Sequence, residues 1–366
     1  MRILTVPIDE ANHPNASPRL TPIIAMLSEN NKIIGCERVP RFGTTNELLK
    51  HIRFVRYALR VLVFGLRRRK DSDLILAEHP AFGLIGAALS LVIRKPYIWD
   101  THDGNLRAHC QLLGSSFLRT RLVLFIDSIN GRAAKAIVVP SKRDLELYIE
   151  QKYKHVDKIV VIPSAVNLPL IDEVRRDRAV LRKELKLDAD KRIMMFAGSR
   201  EYPPNKEAAD WINDELAPII AERFDDVRIL IIGTGEIPRQ VSPIVTYTGF
   251  VPSIYEYILA SDICLVPYRL NTGISTKLLD CLACGKPVIT MSSVARLIPE
   301  LVDGQNVITA EDHDEFTSKV IHLLDDPDLA LRIGIKARKV IEEHYDSQTI
   351  TEEWRHLMRS TLPDAG

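Results

Sequence analysis

No run of the 366 residues reaches the roughly 18 consecutive apolar positions that a membrane-spanning helix needs. The longest apolar stretch, Ala81 to Ile93, reads as a buried helix. The N-terminus, Met1 to Glu10, reads as the start of a strand and lacks the layout of a secretory leader. Cysteine is sparse. The five residues (Cys36, Cys110, Cys264, Cys281 and Cys284) are odd in number and form no disulfide framework, which favours a reducing, cytoplasmic setting. Cys281 and Cys284 stand as C-x-x-C, but no second Cys or His pair lies near enough to complete a zinc site, so they read as small buried helix residues. A full G-x-G-x-x-G is also missing. Gly233-Thr-Gly235 stops short and Pro238 follows, which argues against a nicotinamide dinucleotide. The net charge of +1 by itself argues nothing about partners, and no nucleic-acid partner is expected.

What is present is ordinary globular composition. With 46% hydrophobic and 27% charged residues the chain can bury a core, and its length suggests two domains. Charge is uneven. Residues 1–150 carry 22 Lys and Arg against 14 Asp and Glu, and the remainder carries 27 against 34. A basic first half suggests that it faces something anionic.

Short Val- and Ile-rich runs alternate with helical periodicity. In the first half they are Ile3–Val6, Leu74–Ala77, Tyr97–Trp99, Ala136–Val139 and Ile159–Ile162. A charged stretch over 167–191 interrupts the pattern and marks the boundary. The pattern resumes with Ile193–Ala197, Val227–Ile232, Val245–Thr248, Ile263–Val266, Pro287–Ile289 and Val307–Thr309, then runs as helix after Asp312 with a break near Asp325–Pro327. This predicts an α/β chain of two doubly wound parallel sheets. Ligands are expected at the carboxyl ends of the strands, in a cleft between the domains.

Four strand ends in the second half carry chemistry. Phe196-Ala-Gly198 leads through a polar loop into a helix, where backbone N–H groups can approach a phosphate and Arg200 and Lys206 can add charge-assisted bonds. Ile231 to Glu236 ends in Gly-x-Gly. Tyr247 to Pro252 offers Phe250 and Val251 beside a glycine, as a rest for a planar base or as packing. The fourth runs from Pro267 to Ile289. A loop with Thr272, Gly273 and Ile274 opens a helix near Ser275, with Lys277 in its first turn and Asp280 one turn on. Cations in a first turn oppose the helix dipole, so Lys277 calls for a bound anion. Asp280 can accept bonds from ribose hydroxyls. The bland alternative is a solvated Lys and Asp on a surface helix.

In order and spacing these segments resemble the nucleotide-sugar domain of glycosyltransferase family 4, over residues 190–350. The resemblance implies the GT-B fold: an acceptor-binding domain over 1–168, a nucleotide-sugar-binding domain over 169–347, and a terminal helix, about 348–366, returning to the first. It implies a retaining hexosyltransferase that needs no metal or other cofactor. Phe196–Lys206 matches the family's diphosphate loop and Thr248–Val251 its base-contacting turn. Thr272–Asp280 stands where the family has E-x7-E, and Gly273 to Lys277 fits a branch with Gly-x-x-x-Lys. Ala136–Ser141 and Val161–Asn167 resemble the last strand ends of the acceptor domain. The chain departs from the family in four places. Thr272 replaces the first glutamate, which helps hold the donor sugar. Asp280 replaces the second, shorter by one methylene but still able to bind ribose. Arg200 and Lys206 sit one position late. Pro7–Asn15 replaces the usual glycine-rich loop.

In the first half, His102 matches a family position beside the donor sugar, and Asp103 is placed to orient His102 or an acceptor hydroxyl. A His beside acids at a strand end also serves as a structural hydrogen-bonding group; its location favours the catalytic role. Lys50–Lys70 holds eight basic residues and no acid, interleaved with apolar ones. Two readings stand: a basic amphipathic helix on an anionic membrane, or a helix packed on the sheet with a solvated basic face. The expected protein is cytoplasmic, or peripheral on the inner face of the cell membrane. Its expected partners are a nucleotide-sugar and a glycan or lipid-linked acceptor. A GT-B epimerase or phosphorylase, and a degenerate sugar-nucleotide-binding partner subunit, are the alternatives.

Overall fold

The computed structural model describes residues 1–6, 19–35, 47–101, 104–112, 114–269 and 272–362. Pro7–Asn15, His102 and Asp103 lie outside the described residues. The chain divides into two compact units: 1–165 with 272–274 and 347–366, and 166–271 with 275–346.

The first unit is built on strands β1 (Arg2–Val6), β2 (Lys32–Gly35), β3 (Leu74–Glu78), β4 (Tyr97–Asp100), β5 (Ala136–Val139) and β6 (Ile159–Val161). Its helices are α1 (Leu20–Ser28), α2 (Glu47–Arg67), α3 (Pro80–Ile93), α4 (Leu106–Leu112), α5 (Phe117–Ala133) and α6 (Lys142–Glu150). All pairings are parallel, in the order β2-β1-β3-β4-β5-β6. Successive strand residues point to opposite faces, and both faces are covered, so the strands read as unbroken apolar runs. Leu4, Ile75, Tyr97, Trp99 and Ile137 meet α2 and α3 on one side. Ile3, Leu74, Leu76, Ile98 and Val138 meet α1 and the last helix on the other. The sequence reading passed over β2. It is a four-residue edge strand opening on an exposed Lys32, with too few apolar positions to stand out.

The second unit contains β7 (Arg192–Ala197), β8 (Val227–Ile232), β9 (Val245–Gly249), β10 (Ile263–Val266), β11 (Val288–Met291) and β12 (Ile308–Ala310). They are ordered β12-β11-β10-β7-β8-β9, again all parallel. The charged boundary stretch forms two short helices, α7 (Leu168–Val174) and α8 (Arg178–Glu184). The remaining helices are α9 (Pro203–Trp211), α10 (Ala217–Arg223), α11 (Ile254–Ala260), α12 (Thr276–Ala283), α13 (Ser292–Ala295), α14 (His313–Asp325) and α15 (Pro327–His344). The helical tail breaks at Pro327, as the sequence indicated, and again before Ser347. There α16 (Ser347–Thr361) joins the first unit, burying Ile350, Trp354, Leu357 and Met358 beside Ile3 and Leu20.

One sequence reading needs correction. The Ala81–Ile93 stretch is not buried throughout: Leu91 and Val92 are 76% and 57% exposed, because they fall on the side of α3 turned away from the sheet. In α2, Tyr57 and Val61 are buried, with Phe54, Leu62 and Phe64 packed against them, while Val55, Leu59, Val63 and Leu66 face outward. Cys110, Cys264, Cys281 and Cys284 are free thiols, all buried. Among the described residues no helix is long and apolar enough to cross a membrane.

Candidate functional site

In the second sheet the strand order reverses between β7 and β10, and the loops leaving their carboxyl ends run to α9 and α12. A reversal of this kind leaves a crevice in which ligands of open α/β sheets bind. Gly198, Arg200 and Lys206 follow β7. Ser275, Lys277 and Asp280 follow β10. Phe250 and Val251 follow β9.

Backbone bonds tie the strand ends together. Gly198 N donates to Ile232 O at 2.8 Å, Arg200 N to Thr234 O at 2.8 Å, and Gly233 N to Gly249 O at 3.0 Å. Gly233 has φ +147°, and a Cβ there would stand 2.3 Å from the Gly198 carbonyl. The two loops approach this closely only because the residue is glycine.

Lys277 and Asn205 connect the loops on either side of the reversal. The Lys277 ammonium donates to Asn205 Oδ1 at 3.2 Å, and Asn205 Nδ2 donates to Ser199 O at 2.9 Å. The ammonium lies 5.6 Å from the centroid of the Tyr268 ring. Tyr268 Oη in turn meets Ser275 Oγ at 2.5 Å, and Ser275 caps α12 by accepting from Leu278 N at 3.1 Å. Asp280, one turn along, accepts from the Tyr255 hydroxyl at 3.4 Å. Burial pushes the Asp280 carboxyl up to about 7, against the opposing pull of Tyr255 and Lys277. Burial also lowers the pKa of Lys277, and nearby Asp280 works in the other direction.

Sequence reasoning missed Asn205, Tyr255 and Tyr268. Asn205 is buried in the first turn of α9. Its partner Lys277 lies on another loop, so nothing local distinguished Asn205 from the neighbouring Lys206.

Arg200 and Lys206 share one carboxylate. Arg200 Nη2 reaches Asp210 Oδ1 at 2.6 Å and Lys206 Nζ reaches Asp210 Oδ2 at 2.5 Å. The Arg200 side chain is buried with its Cζ 5.3 Å from the Tyr247 ring centroid, and its Nε and Nη1 have no partner among the described residues. Lys206 is largely exposed. Phe250 is 64% exposed, so it does not serve as packing.

Residues 272–274 group with the first unit. There the buried Asp144 carboxylate accepts from the Thr272 hydroxyl, from Gly273 N at 3.2 Å, from Asn105 N at 2.8 Å and from Ser141 Oγ at 2.5 Å. Gly104 closes the cluster: at φ +75° its Cβ would run into Asp144 and Thr272. Ile274 is half-buried. At the end of β4 a buried ion pair joins Arg19 Nε to Asp100 Oδ2 at 3.0 Å, and Arg19 Nη2 donates to Ile162 O at 2.6 Å. His102 and Asp103 follow Asp100 in sequence after Thr101.

Residues 191–326 match the family described as "Glycosyl transferases group 1". Solved structures align over nearly the whole chain. Sucrose-phosphate synthase from Thermosynechococcus elongatus superposes with a TM-score of 0.76 at 16% identity, covering 98% of both chains. Anabaena HepE in complex with UDP-glucose gives 0.73 at 15% identity, covering 98% of this chain and 100% of that one. The fold is GT-B. In sequence, the chain is 26% identical over 222 residues to a GDP-mannose-dependent monoacylated alpha-(1-6)-phosphatidylinositol monomannoside mannosyltransferase of Corynebacterium glutamicum, covering 54% of this chain and 57% of that one. It is 26% identical over 221 residues to a D-inositol 3-phosphate glycosyltransferase of Thermobispora bispora, covering 55% and 49%. The chain thus spans about half the length of the relatives it matches. The GT-B segment that matches the family carries β7 through α14, and with them the reversal between β7 and β10.

Proposed function

We propose that the protein is a retaining glycosyltransferase of family 4, which moves a hexosyl group from a nucleotide-sugar to a glycan or lipid-linked acceptor. The observation that carries this reading is Lys277. It is a cation in the first turn of a helix, half-buried, and its hydrogen bond goes to a neutral amide. Helix N-termini favour anions, so an anionic ligand at this place satisfies both the ammonium and the free N–H groups of α12.

In this reading the diphosphate lies against Gly198, Ser275 and Lys277, with Lys206 and Arg200 at its edge. Asp280 accepts from the ribose, and Phe250 and Val251 border the base; Gly273, Thr272 and Ile274 are assigned to the donor by the family resemblance. As the bond to the anomeric carbon breaks, negative charge grows on the departing diphosphate. Lys277 and the amino end of α12 stabilise that charge, which lowers the barrier without a metal. His102 and Asp103 are assigned the sugar side of the reaction, by the family resemblance. The Lys50–Lys70 segment is assigned to an anionic membrane that presents the acceptor, supported by the exposed Arg56, Arg60, Arg67 and Arg69.

A thermal-shift screen of UDP-, GDP- and ADP-sugars tests the donor assignment, since a ligand specific for the native state raises the melting temperature. One nucleotide class is expected to stabilise the protein; no shift with any of them would refute the assignment.

A further inference from the structure

We propose that the outward face of α5 inserts into an anionic lipid surface, with the outward faces of α2 and α3 beside it. The inference deepens the membrane assignment above and rests on it for the identity of the acceptor. It moves the main contact from the Lys50–Lys70 cations to an apolar face that the sequence reading did not single out.

The three helices form one layer. α2, α3 and α5 pack on the same side of the first sheet, with α3 between the other two. Inward, α5 places Val123 and Ala133 on the core and buries Asp127, Asn130 and Gly131. A helix with one side in the core normally turns polar residues outward. α5 does not. Phe117, Leu118, Leu122 and Phe125 are 72%, 78%, 59% and 63% exposed, and Ile129 continues the stripe. From Leu118 to Ile129 their spacing of three and four residues puts them along one line of the helix, and Phe117 adjoins it at the start. Val55, Leu59, Val63 and Leu66 make a similar line on α2, and Leu91 and Val92 end α3. Contiguous exposed apolar surface of this kind marks a contact site.

Charge identifies the occupant. The exposed ionised residues of α5 are Arg119, Arg121 and Arg132; its one acid, Asp127, is buried, and burial pushes its carboxyl up to about 7. α3 carries no charged residue, and α2 from Phe54 onward carries only arginines. An interface between two copies would bring these cations against one another, since from Phe54 onward in α2 and throughout α3 and α5 the one acid is the buried Asp127. An anionic lipid surface supplies both the charge and the apolar medium, as for interfacial helices in general.

The test is flotation of the full chain with vesicles of phosphatidylcholine alone and of phosphatidylcholine with phosphatidylglycerol, at low and high salt. Three proteins are compared: wild type, the triple variant Leu118→Gln, Leu122→Gln and Phe125→Gln, and the triple variant Arg119→Gln, Arg121→Gln and Arg132→Gln. All substituted side chains are exposed, and circular dichroism of each variant confirms that it folds. Wild type is expected to prefer the anionic vesicles and to keep part of its binding at high salt. The apolar variant should lose about tenfold in partitioning at both salts. The arginine variant should lose chiefly the low-salt preference for phosphatidylglycerol. An apolar variant that floats like wild type, a wild type that binds neither vesicle, or a concentration-dependent oligomer abolished by the apolar substitutions would overturn the proposal. Thermal shifts with the nucleotide-sugars are measured on the same three proteins. Their absence in all three would count against the donor assignment alone and leave the vesicle result to decide this one.

Discussion

The ammonium of Lys277 and the carboxyl of Asp280 stand one turn apart on α12, the first favoured by a bound anion and the second half-buried beside Tyr255. Their roles separate by mutation. Lys277→Ala removes a charge-assisted bond worth roughly 1.5–3 kcal/mol, so nucleotide affinity should fall about tenfold to a hundredfold while the melting temperature of the free protein changes little. Unchanged affinity would remove Lys277 from the site. Asp280→Ala should weaken binding more than Asp280→Glu, because a longer carboxylate can still accept from ribose hydroxyls and a methyl cannot. Equal affinities in the two variants would show that Asp280 touches no ribose. Asp127 makes a prediction about stability. Burial raises its carboxyl from 3.8 to about 7. Between those values the folded chain therefore holds a proton that the unfolded chain has released, and stability falls as pH rises. Asp127→Asn removes that contribution. Its melting temperature should gain on wild type as pH increases from about 4 to about 7, and then hold the difference. Parallel melting curves across this range would contradict the buried-acid account.

At the scale of elements, the site depends on how closely the loop after β7 meets the loop after β8. Gly233→Ala places a Cβ on the Gly198 carbonyl and asks an L residue to hold φ +147°. The expected result is a lower melting temperature, by a strain of about 1–3 kcal/mol, together with weaker nucleotide binding. A variant equal to wild type in both would mean that the loops yield freely. Much of this architecture could be read from the sequence. Val- and Ile-rich runs with Gly, Pro or Ser at their ends located the described strands other than β2, and Ser275 located the start of α12 because caps are local signals. Asn205 and Asp144 could not be read in this way. Asn205 meets Lys277 across 72 positions of sequence and Asp144 meets Thr272 across 128. Such pairings depend on tertiary packing, and neither residue differs locally from an ordinary helix polar group. The apolar outward face of α5 escaped notice for a related reason. Apolar periodicity shows where a helix has an apolar stripe, but it does not show that a second stripe is left uncovered.

Across the whole molecule, two parallel sheets with different strand orders each present their loops at the carboxyl ends of their strands. The second carries the family match and the Lys277–Asn205 link between its central loops. If the mechanism follows the family resemblance, the first-formed product keeps the donor's anomeric configuration. Proton NMR of that product checks this, and an inverted anomer would exclude the retaining assignment. The donor assignment comes before that question, and calorimetric titration of the wild-type chain with UDP, GDP and ADP tests it most directly. The account predicts that one of the three binds at a single site per chain and that Lys277→Ala weakens that binding. If none of the three binds, the crevice between β7 and β10 is not a nucleotide site and the assignment of a nucleotide-sugar donor is wrong.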